Sequence, residues 1–252
     1  MSTFVTTLYI SLFVLLPNFS SANTDVPTIM TEEWPPYNYI EDGQLKGFSV
    51  ELVQAMMHEL GIVAEIRALP GARGEYYLQT YSNHMLFSLF RTPKRERTFK
   101  WIGPISEESV YFFKKRENSN LSVKTLQDAK EVKRIGSRRE GMILRNLMEN
   151  GFNNIATQTR PDEIFRLVIQ GNYDLLANTP LAVSYRLKLH GYPENALQRT
   201  PVILFSLPLY IGCSKDMPES TIQKWQDVLD KLKRNGVYDE IYNKYLNKEI
   251  IQ

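Results

Sequence analysis

Two groups of arginines are the residues of this sequence best suited to bind a charged small molecule. The first group follows an apolar stretch within Ser88–Ile105, a segment that contains Arg91, Lys94, Arg95, Arg97 and Lys100. The planar fork of an arginine can bind a carboxylate through two parallel hydrogen bonds. Thr92 and Pro93 favour a turn that would give the loop a defined shape. We predict an anion-binding loop here, with a solvated basic loop as the alternative.

The second group consists of Arg134, Arg138 and Arg139, which precede Gly141 at the start of a predicted helix. The first turn of a helix offers free backbone N–H groups and the positive end of the helix dipole, and both favour anions. Two basic loops in different parts of the chain therefore predict a cleft that receives a negatively charged group.

An aromatic cluster near the start of the chain supplies a different kind of contact. Trp34, Tyr37 and Tyr39 surround Pro35 and Pro36. Flat aromatic side chains can cover an apolar or cationic part of a ligand. The alternative is packing onto the protein core, which we favour for Tyr39. Trp34 is therefore our candidate for ligand contact.

The sequence contains none of the common catalytic or cofactor-binding motifs. It lacks a glycine-rich nucleotide-binding loop, a Gly-x-Ser-x-Gly elbow, a His-Glu-x-x-His pair and a Cys-x-x-Cys pair. Its three histidines lie far apart: His58, His84 and His190. Glu32, Glu33 or Glu75 could supply a carboxylate, but no acid–base pair has a recognisable spacing. We therefore predict a protein that is not an enzyme and binds no metal or cofactor.

The elements that would position these residues alternate between strands and helices. Thr28–Met30 and Ala64–Ala68 have the pattern of short strands, and the segment between them predicts a helix over Ser49–Leu60. Ser49 can cap this helix, and Gly61 can adopt the left-handed conformation after its end. Strand, helix and strand predict a βαβ unit, which is typical of an α/β fold.

The middle of the chain repeats this order, with predicted helices over Gly141–Asn150 and Pro161–Gln170 and a further helix that Thr179 would cap. Two strand-like runs, Val110–Phe113 and Val202–Leu207, join the middle block to the two ends. We predict that they are crossing strands between two α/β lobes. The first lobe would comprise residues 23–111 and 208–252, and the second lobe residues 112–207.

The N-terminus has the pattern of a signal peptide. Phe4–Leu16 is mostly apolar, and the small residues Ser20 and Ala22 suit positions three and one before a cleavage site. Residues 1–22 would be removed during export to the periplasm, which leaves 252 − 22 = 230 residues. The apolar run is shorter than the roughly 20 residues of a membrane span, and an uncleaved anchor is the alternative.

The charge and cysteine content narrow the function further. Lys and Arg number 30 and Asp and Glu 28, so the chain has no large excess charge that would favour nucleic acid or another polyanion. Cys213 is the single cysteine, which excludes an intramolecular disulfide. Its position far from the signal segment disfavours a lipid anchor. We expect a monomer that is soluble in the periplasm.

Four segments together resemble the bacterial extracellular solute-binding proteins of the polar amino acid type, family three. They are WPPYNYIEDGQLKGFSVEL from Trp34, RTPKRERTFKWIGPI from Arg91, GNYDLLANTPLA from Gly171 and LDKLKRNGVYDEIYNKYL from Leu229. They occur in the order of the family and span nearly the whole chain after the signal segment. The resemblance implies a type II periplasmic-binding-protein fold, in which two lobes joined by two crossing hinge strands close on a ligand.

The resemblance also implies which first-lobe residues contact the ligand. In the family, the arginine of a Thr-x-x-Arg turn clamps the ligand's α-carboxylate. This position is Arg95 here, and Arg91 and Thr92 of the same turn are further candidates. The aromatic residue before the Pro-Pro segment stacks on the ligand, which implies this role for Trp34.

Second-lobe residues are implied in the same way. The backbone at the glycine that opens the second-lobe helix contacts the ligand in the family, which implies Gly141 here, with Ser137 and Arg138 nearby. Amino acid binders hold the ligand's α-ammonium with an aspartate where this chain has Thr179, beside Asn178. Loss of that charge-assisted hydrogen bond would cost about 1.5–3 kcal/mol. The implied ligand is therefore not a standard α-amino acid.

Two further departures change the implied pocket. Phe90 lies where amino acid binders have a threonine that helps to hold the carboxylate. LPGARGEYY resembles a Pro-Trp-x-Arg segment of a family subgroup, with Gly71 in place of the tryptophan and Arg73 as a further candidate contact. The missing ring leaves room for a bulkier ligand.

The sequence therefore predicts a periplasmic binding protein that captures a small polar, carboxylate-bearing solute for the membrane permease of an ABC importer. Two alternatives remain at this point. One is an enzyme on the same fold, similar to cyclohexadienyl dehydratases, and the other is a sensory input module without a transport role.

Overall fold

Strands and helices alternate along the computed structural model, which describes residues 26–246. The strands of these residues are β1 (Thr28–Thr31), β2 (Tyr39–Glu41), β3 (Gln44–Lys46), β4 (Ile66–Ala68), β5 (His84–Phe90), β6 (Lys100–Lys115), β7 (Ile135–Arg138), β8 (Ile155–Gln158), β9 (Leu175–Asn178) and β10 (Leu197–Cys213). The helices are α1 (Phe48–Glu59), α2 (Gly71–Thr80), α3 (Pro93–Glu96), α4 (Leu126–Glu131), α5 (Met142–Glu149), α6 (Pro161–Ile169), α7 (Pro180–Leu189), α8 (Glu219–Arg234) and α9 (Val237–Leu246). The predicted α/β class is confirmed.

One mixed sheet of eight strands runs through both lobes, in the order β4-β1-β5-β10-β6-β9-β7-β8. Strands β2 and β3 form a separate antiparallel hairpin. β1 pairs in parallel with β4, with Ile29 opposite Ile66, and α1 connects the two strands. The predicted βαβ unit is therefore present. The parallel strands β7 and β8, joined by α5, repeat this arrangement at the other end of the sheet.

The long strands β6 and β10 cross the middle of the molecule. They pair antiparallel from Leu197 opposite Lys115 to Cys213 opposite Lys100, with three shifts of register. β10 also pairs with β5 at one end, and β6 pairs with β9 at the other. The two predicted crossing strands are confirmed. Each is longer than the predicted run because it continues into the sheet of both lobes.

Separate apolar clusters fill the two ends of the sheet, and their burial supplies the main stabilising term. The largest cluster, around Trp225, takes its buried members from residues 29–105 and 209–246. Two clusters around Phe112 and Phe165 take theirs from residues 110–204. Along the chain, buried residues therefore pass from one apolar cluster to another close to the lobe boundaries that we propose. These boundaries assign residues 23–111 and 208–252 to the first lobe and residues 112–207 to the second.

The helix ends show which residues determine where each helix begins and ends. α1 begins after Gly47, whose φ of +123° makes the turn into the helix. The prediction that Ser49 caps α1 is wrong, because its buried hydroxyl has no hydrogen-bond partner within residues 26–246. Gly61 adopts a φ of +66° after the helix, as predicted. Thr179 caps α7 as predicted, since its Oγ1 accepts a hydrogen bond from the N–H of Ala182 at 3.3 Å.

The predicted signal peptide, residues 1–22, lies outside the described residues. Across residues 26–246, no helix combines the length and the apolar character needed to cross a membrane. Cys213 is buried in the larger apolar cluster as a free thiol.

Candidate ligand-binding site

A cavity of about 350 Å³ lies between the two lobes. Its first-lobe wall comes from residues within 32–34, 71–75 and 86–95, and its second-lobe wall from residues within 136–148, 161–165 and 176–186. The volume falls within the roughly 300–1,000 Å³ that is usual for small-molecule sites. The cavity is therefore the candidate binding site.

Trp34 reaches this cavity from a tight loop that packs on the start of α1. The N–H of Phe48 donates a hydrogen bond to the carbonyl of Pro36 at 3.1 Å. Gly47 permits this approach, because a Cβ there would lie 2.8 Å from the Pro36 oxygen. The Trp34 ring packs against Phe90, with 5.5 Å between ring centroids. The loop thus places an aromatic face on the first-lobe wall.

Ser88 lines the cavity in a backbone conformation that non-glycine residues rarely adopt. Its φ is +60°, and it lies within β5. Its hydroxyl donates to Oδ1 of Asn38 at 2.6 Å, and the Asn38 amide donates to the carbonyl of Glu32. These bonds join β5 to the loop that contains Trp34. Such strained residues are concentrated at functional sites in proteins.

The guanidinium of Arg95 is bound to a carboxylate of the protein itself. Its Nε and Nη2 donate to the two carboxylate oxygens of Glu75, at 3.0 and 2.6 Å. Its Nη1 donates to the carbonyl of Phe90 at 3.0 Å. The side chain of Arg95 is 9% exposed and that of Glu75 is 15% exposed. The structure therefore shows the Nε/Nη2 edge of Arg95 occupied.

Two second-lobe arginines reach across the cavity to first-lobe carboxylates. Arg145 donates through Nη2 to Glu75 Oε2 at 3.0 Å, and Arg138 Nη1 lies 3.5 Å from Glu32 Oε2. Gly71 leaves space for the second contact, because a Cβ there would lie 2.9 Å from the carboxylate carbon of Glu32. The two lobes are thus joined through charged groups that line the cavity.

The two carboxylates have opposite electrostatic environments. Withdrawal from solvent raises the pKa of Glu32 above its usual value, and the positive charges of Arg138 and Arg95 offset this only in part. Withdrawal from solvent acts on Glu75 too, but the hydrogen bonds and charges of Arg95 and Arg145 outweigh it and lower the pKa. Glu75 is therefore well compensated, whereas a further cation near Glu32 would stabilise its charge.

The second-lobe residues predicted from the sequence lie around the starts of α5 and α7. Ser137, Arg138, Gly141 and Asn178 line the cavity. Gly141 has a φ of +111° and open space around it, so its backbone is accessible from the cavity side. Thr179 is fully buried, and its hydroxyl is used to cap α7. The structure therefore brings four of these five residues to the cavity.

Three predicted contacts are not part of the cavity lining: Arg73, Arg91 and Thr92. Arg73 is exposed on the first turn of α2. Arg91 pairs with Glu96 and lies over the ring of Trp101, 5.6 Å from its centroid. Thr92 precedes the short helix α3. Their contact with a ligand stays a prediction, without support from the shape of the cavity.

Comparison with known proteins agrees with this two-lobed architecture. Residues 28–248 match the profile of the bacterial extracellular solute-binding proteins, family 3. The chain belongs to this family. The family resemblance and the type II fold predicted from the sequence are thereby confirmed.

Proteins similar to this family 3 protein are named for different functions. The probable amino-acid-binding protein YxeM of Bacillus subtilis is 23% identical over 220 residues, which cover 85% of this chain and 81% of YxeM. A histidine kinase sensor domain with similarity to periplasmic binding proteins has a TM-score of 0.78 at 19% identity, covering 90% of this chain and 99% of that one. The ancestral amino acid-binding protein AncCDT-1, a precursor of cyclohexadienyl dehydratase, has a TM-score of 0.72 at 20% identity, covering 88% and 96%. At these identities the structures show a shared fold.

Sequence analysis of this family 3 protein missed part of its cavity. From the sequence, Glu32 and Glu75 are candidates only for acid–base groups, and Arg145 is not a candidate contact. One signal was available for Glu75, because Gly71 and Glu75 are four residues apart in a helix and therefore share a face. No local pattern indicated that Arg145 would reach the first lobe.

Proposed function

We propose that this family 3 protein captures a small polar solute, an amino acid or a related molecule, by closing its two lobes. The observation that carries the proposal is a cavity lined by both lobes and bridged by the pairs Arg145–Glu75 and Arg138–Glu32. Closure around a solute removes water, which strengthens each polar contact to the ligand. Trp34 would cover an apolar part of the solute.

The proposed partner is the membrane permease of an ABC importer, and the proposed location is the periplasm, with residues 1–22 as the export signal. The family supports this role, since its members are extracellular solute-binding proteins. The name of the Bacillus relative, a probable amino-acid-binding protein, supports the ligand class. We further propose that the protein acts as a monomer and releases its solute chemically unchanged.

The experiment that tests ligand capture is a thermal-shift screen of the purified protein with amino acids, amines and small carboxylates, followed by calorimetry. A solute at 100 times its dissociation constant should stabilise the protein by about 2.7 kcal/mol. W34A should weaken the response. Y76A is the matched control, because Tyr76 is an exposed aromatic residue outside the cavity. A screen in which no solute stabilises the protein would contradict the proposed ligand class.

Transport is tested separately from capture. Deletion of the gene should abolish uptake of the solute found in the screen, and the full-length gene should restore uptake. Unchanged uptake together with tight binding would favour a sensory role, for which the sensor domain of a histidine kinase offers a structural parallel.

An enzyme is the second candidate function, and one observation favours it. Glu32 and Glu75 share the cavity, and the pKa of Glu32 is raised while that of Glu75 is lowered. Environments that shift the pKa values of two carboxyl groups apart can keep one protonated as an acid while the other stays ionised. Incubation of the bound solute with an equal amount of protein, followed by mass spectrometry, should recover the solute unchanged. A product that E32Q no longer forms would favour the enzyme.

A further inference from the structure

The contact between Glu75 and Arg95 bears on which solutes the cavity accepts. The family resemblance assigns Arg95 to a ligand carboxylate, yet its fork holds the carboxylate of Glu75 at 3.0 and 2.6 Å. We propose that Glu75 determines specificity by standing in for a ligand carboxylate, so that the cavity accepts amines and neutral polar solutes at this position. The inference rests on the proposed function, because it specifies the ligand class of the same site.

The hydrogen bonds of Arg95 to Glu75 and Phe90 use three of its five N–H groups and occupy the Nε/Nη2 edge of its guanidinium. Nε and Nη2 form the edge that Glu75 uses, and Nη1 donates to the carbonyl of Phe90 at 3.0 Å. Arg145 holds Glu75 from the second lobe at 3.0 Å. The Arg95 and Glu75 side chains are only 9% and 15% exposed. A ligand carboxylate that took this edge would have to displace a largely buried carboxylate with two guanidinium partners.

The carboxylates of Glu32 and Glu75 oppose that displacement, against the attraction of the five arginines among residues 26–246 that line the cavity. Burial is the main cause of the raised pKa of Glu32, and the negative charge of Glu75 adds to it. A ligand carboxylate would bring a third negative charge beside these two. A ligand amine would be attracted to Glu32, whose ion-pair partner among residues 26–246 is Arg138, at 3.5 Å. An amine would therefore give Glu32 a second cationic partner.

The local sequence of α2 brings both carboxylates to the same wall. Gly71 and Glu75 lie one helical turn apart, and both line the cavity. Without a side chain, Gly71 leaves room for the carboxylate of Glu32, while Glu75 extends to Arg95. The first-lobe wall thus presents to a ligand the carboxylate of Glu32 and an Arg95 that is already paired with Glu75.

The test compares the wild-type protein with two charge-matched variants, E75Q and E96Q. Glu96 binds Arg91 with the same bidentate geometry outside the cavity, at 2.7 and 2.6 Å, so E96Q is the control. Each protein is titrated by calorimetry and by thermal shift with pairs of probes that differ by one carboxylate. The pairs are L-arginine with agmatine and L-histidine with histamine, in which the amine has no carboxylate.

We expect E75Q to bind at least one of the amino acids about tenfold more tightly than the wild type, without a comparable gain for the paired amine. E96Q should behave as the wild type does. A folded E75Q without this gain overturns the proposal. A wild-type protein that binds an amino acid more tightly than its paired amine also overturns it. If E75Q does not fold, E75S is measured by the same criteria.

The two proposals can fail separately in this experiment. Binding of any solute by the wild type in the broad screen tests the proposed function. The difference in carboxylate affinity between E75Q and the wild type tests the role of Glu75, whichever solute is the natural ligand.

Discussion

The phenol of Tyr37 donates a hydrogen bond to the carboxylate of Glu108, a residue buried in the crossing strand β6. Ser106 donates to the other carboxylate oxygen at 3.1 Å, and the Tyr37 hydroxyl lies 3.5 Å from Oγ1 of Thr179. The cluster therefore links the loop of Trp34, a hinge strand and a second-lobe helix. Burial raises the pKa of Glu108 to about 7, although the hydrogen bonds from Tyr37 and Ser106 act in the opposite direction.

Glu108 is expected to make the stability of the protein depend on pH. Folding raises the pKa of Glu108 from its usual 4.5 to about 7. Its contribution to the unfolding free energy is therefore complete below about pH 4.5 and is lost as the pH rises towards about 7. The unfolding free energy of the wild type relative to E108Q should fall by up to about 3 kcal/mol between about pH 4.5 and pH 8. Urea unfolding of both proteins across this range measures the difference.

E107Q is the matched control for this measurement, because Glu107 is the exposed neighbour of Glu108 on the same strand. Its unfolding free energy relative to the wild type should change little over the same pH range. If E108Q and E107Q give the same pH dependence, Glu108 does not titrate near neutral pH in the folded protein.

Local signals account for the parts of the fold that could be predicted from the sequence. Gly61 ends α1 and Thr179 caps α7 because their backbone and hydrogen-bond preferences act within a few residues. The spacing of apolar residues predicted the helices for the same reason. Ser49 shows the limit of such signals, because Gly47 makes the actual turn into α1.

Contacts within the site could not be predicted because they join distant parts of the chain. Glu75 and Arg95 are 20 residues apart, and Tyr37 and Glu108 are 71 residues apart. Residue type and family resemblance identified Trp34 and Arg95 as residues that line the cavity. They could not show that another side chain of the same protein already occupies one edge of the Arg95 guanidinium, because that depends on where the fold places α2 relative to α3.

The ion pairs across the cavity are expected to favour the closed arrangement of the lobes. The side chains of Arg138 and Arg145 are 36% and 45% exposed, and exposed ion pairs contribute little to folding. The double variant R138Q/R145Q should therefore keep its unfolding free energy within about 1 kcal/mol of the wild type. It should show a larger radius of gyration in small-angle X-ray scattering, because the lobes lose their bridging charges.

R166Q controls for the loss of an arginine, because Arg166 pairs with Glu163 inside α6 at 3.3 Å. Its radius of gyration should equal that of the wild type. High salt should expand the wild type in the same direction as R138Q/R145Q, since salt screens exposed charges. Equal radii for all three proteins would show that these pairs do not hold the lobes together.

Gly71 is expected to control the position of the Glu32 carboxylate. A Cβ at residue 71 would lie 2.9 Å from the carboxylate carbon, so G71A must push the carboxylate aside. The pKa of Glu32, which burial now raises, should fall towards its usual value as the group moves into solvent. The unfolding free energy should change by less than about 1 kcal/mol, because the displaced group ends a flexible side chain. Titration of the carboxyl carbons by NMR measures the pKa.

The carboxyl group of Glu59 serves as the internal reference in this titration. It pairs with Lys231 at 2.5 Å and does not line the cavity, so its pKa should be the same in the wild type and in G71A. An unchanged Glu32 pKa in G71A would show that Gly71 does not determine where this carboxylate lies.

Gly47 is expected to hold the loop that presents Trp34. Its φ is +123°, and a Cβ there would lie 2.6 Å from the carbonyl carbon of Tyr37 and 2.8 Å from the carbonyl oxygen of Pro36. These are backbone atoms, which cannot move without weakening the hydrogen bonds between the loop and α1. G47A should therefore lower the unfolding free energy by more than about 2 kcal/mol.

G61A separates this steric effect from the cost of the backbone conformation alone. Gly61 also has a positive φ, +66°, but a Cβ there would meet no atom within 4 Å. Its replacement should cost only about 1 kcal/mol, the usual strain of a left-handed residue. Urea unfolding measures the stability of both variants. G47A should also bind the solute more weakly, as W34A does, because Gly47 positions the Trp34 loop. G61A should bind the solute as the wild type does. Equal losses of stability in the two variants would exclude the close contact with Tyr37 and Pro36 as the cause.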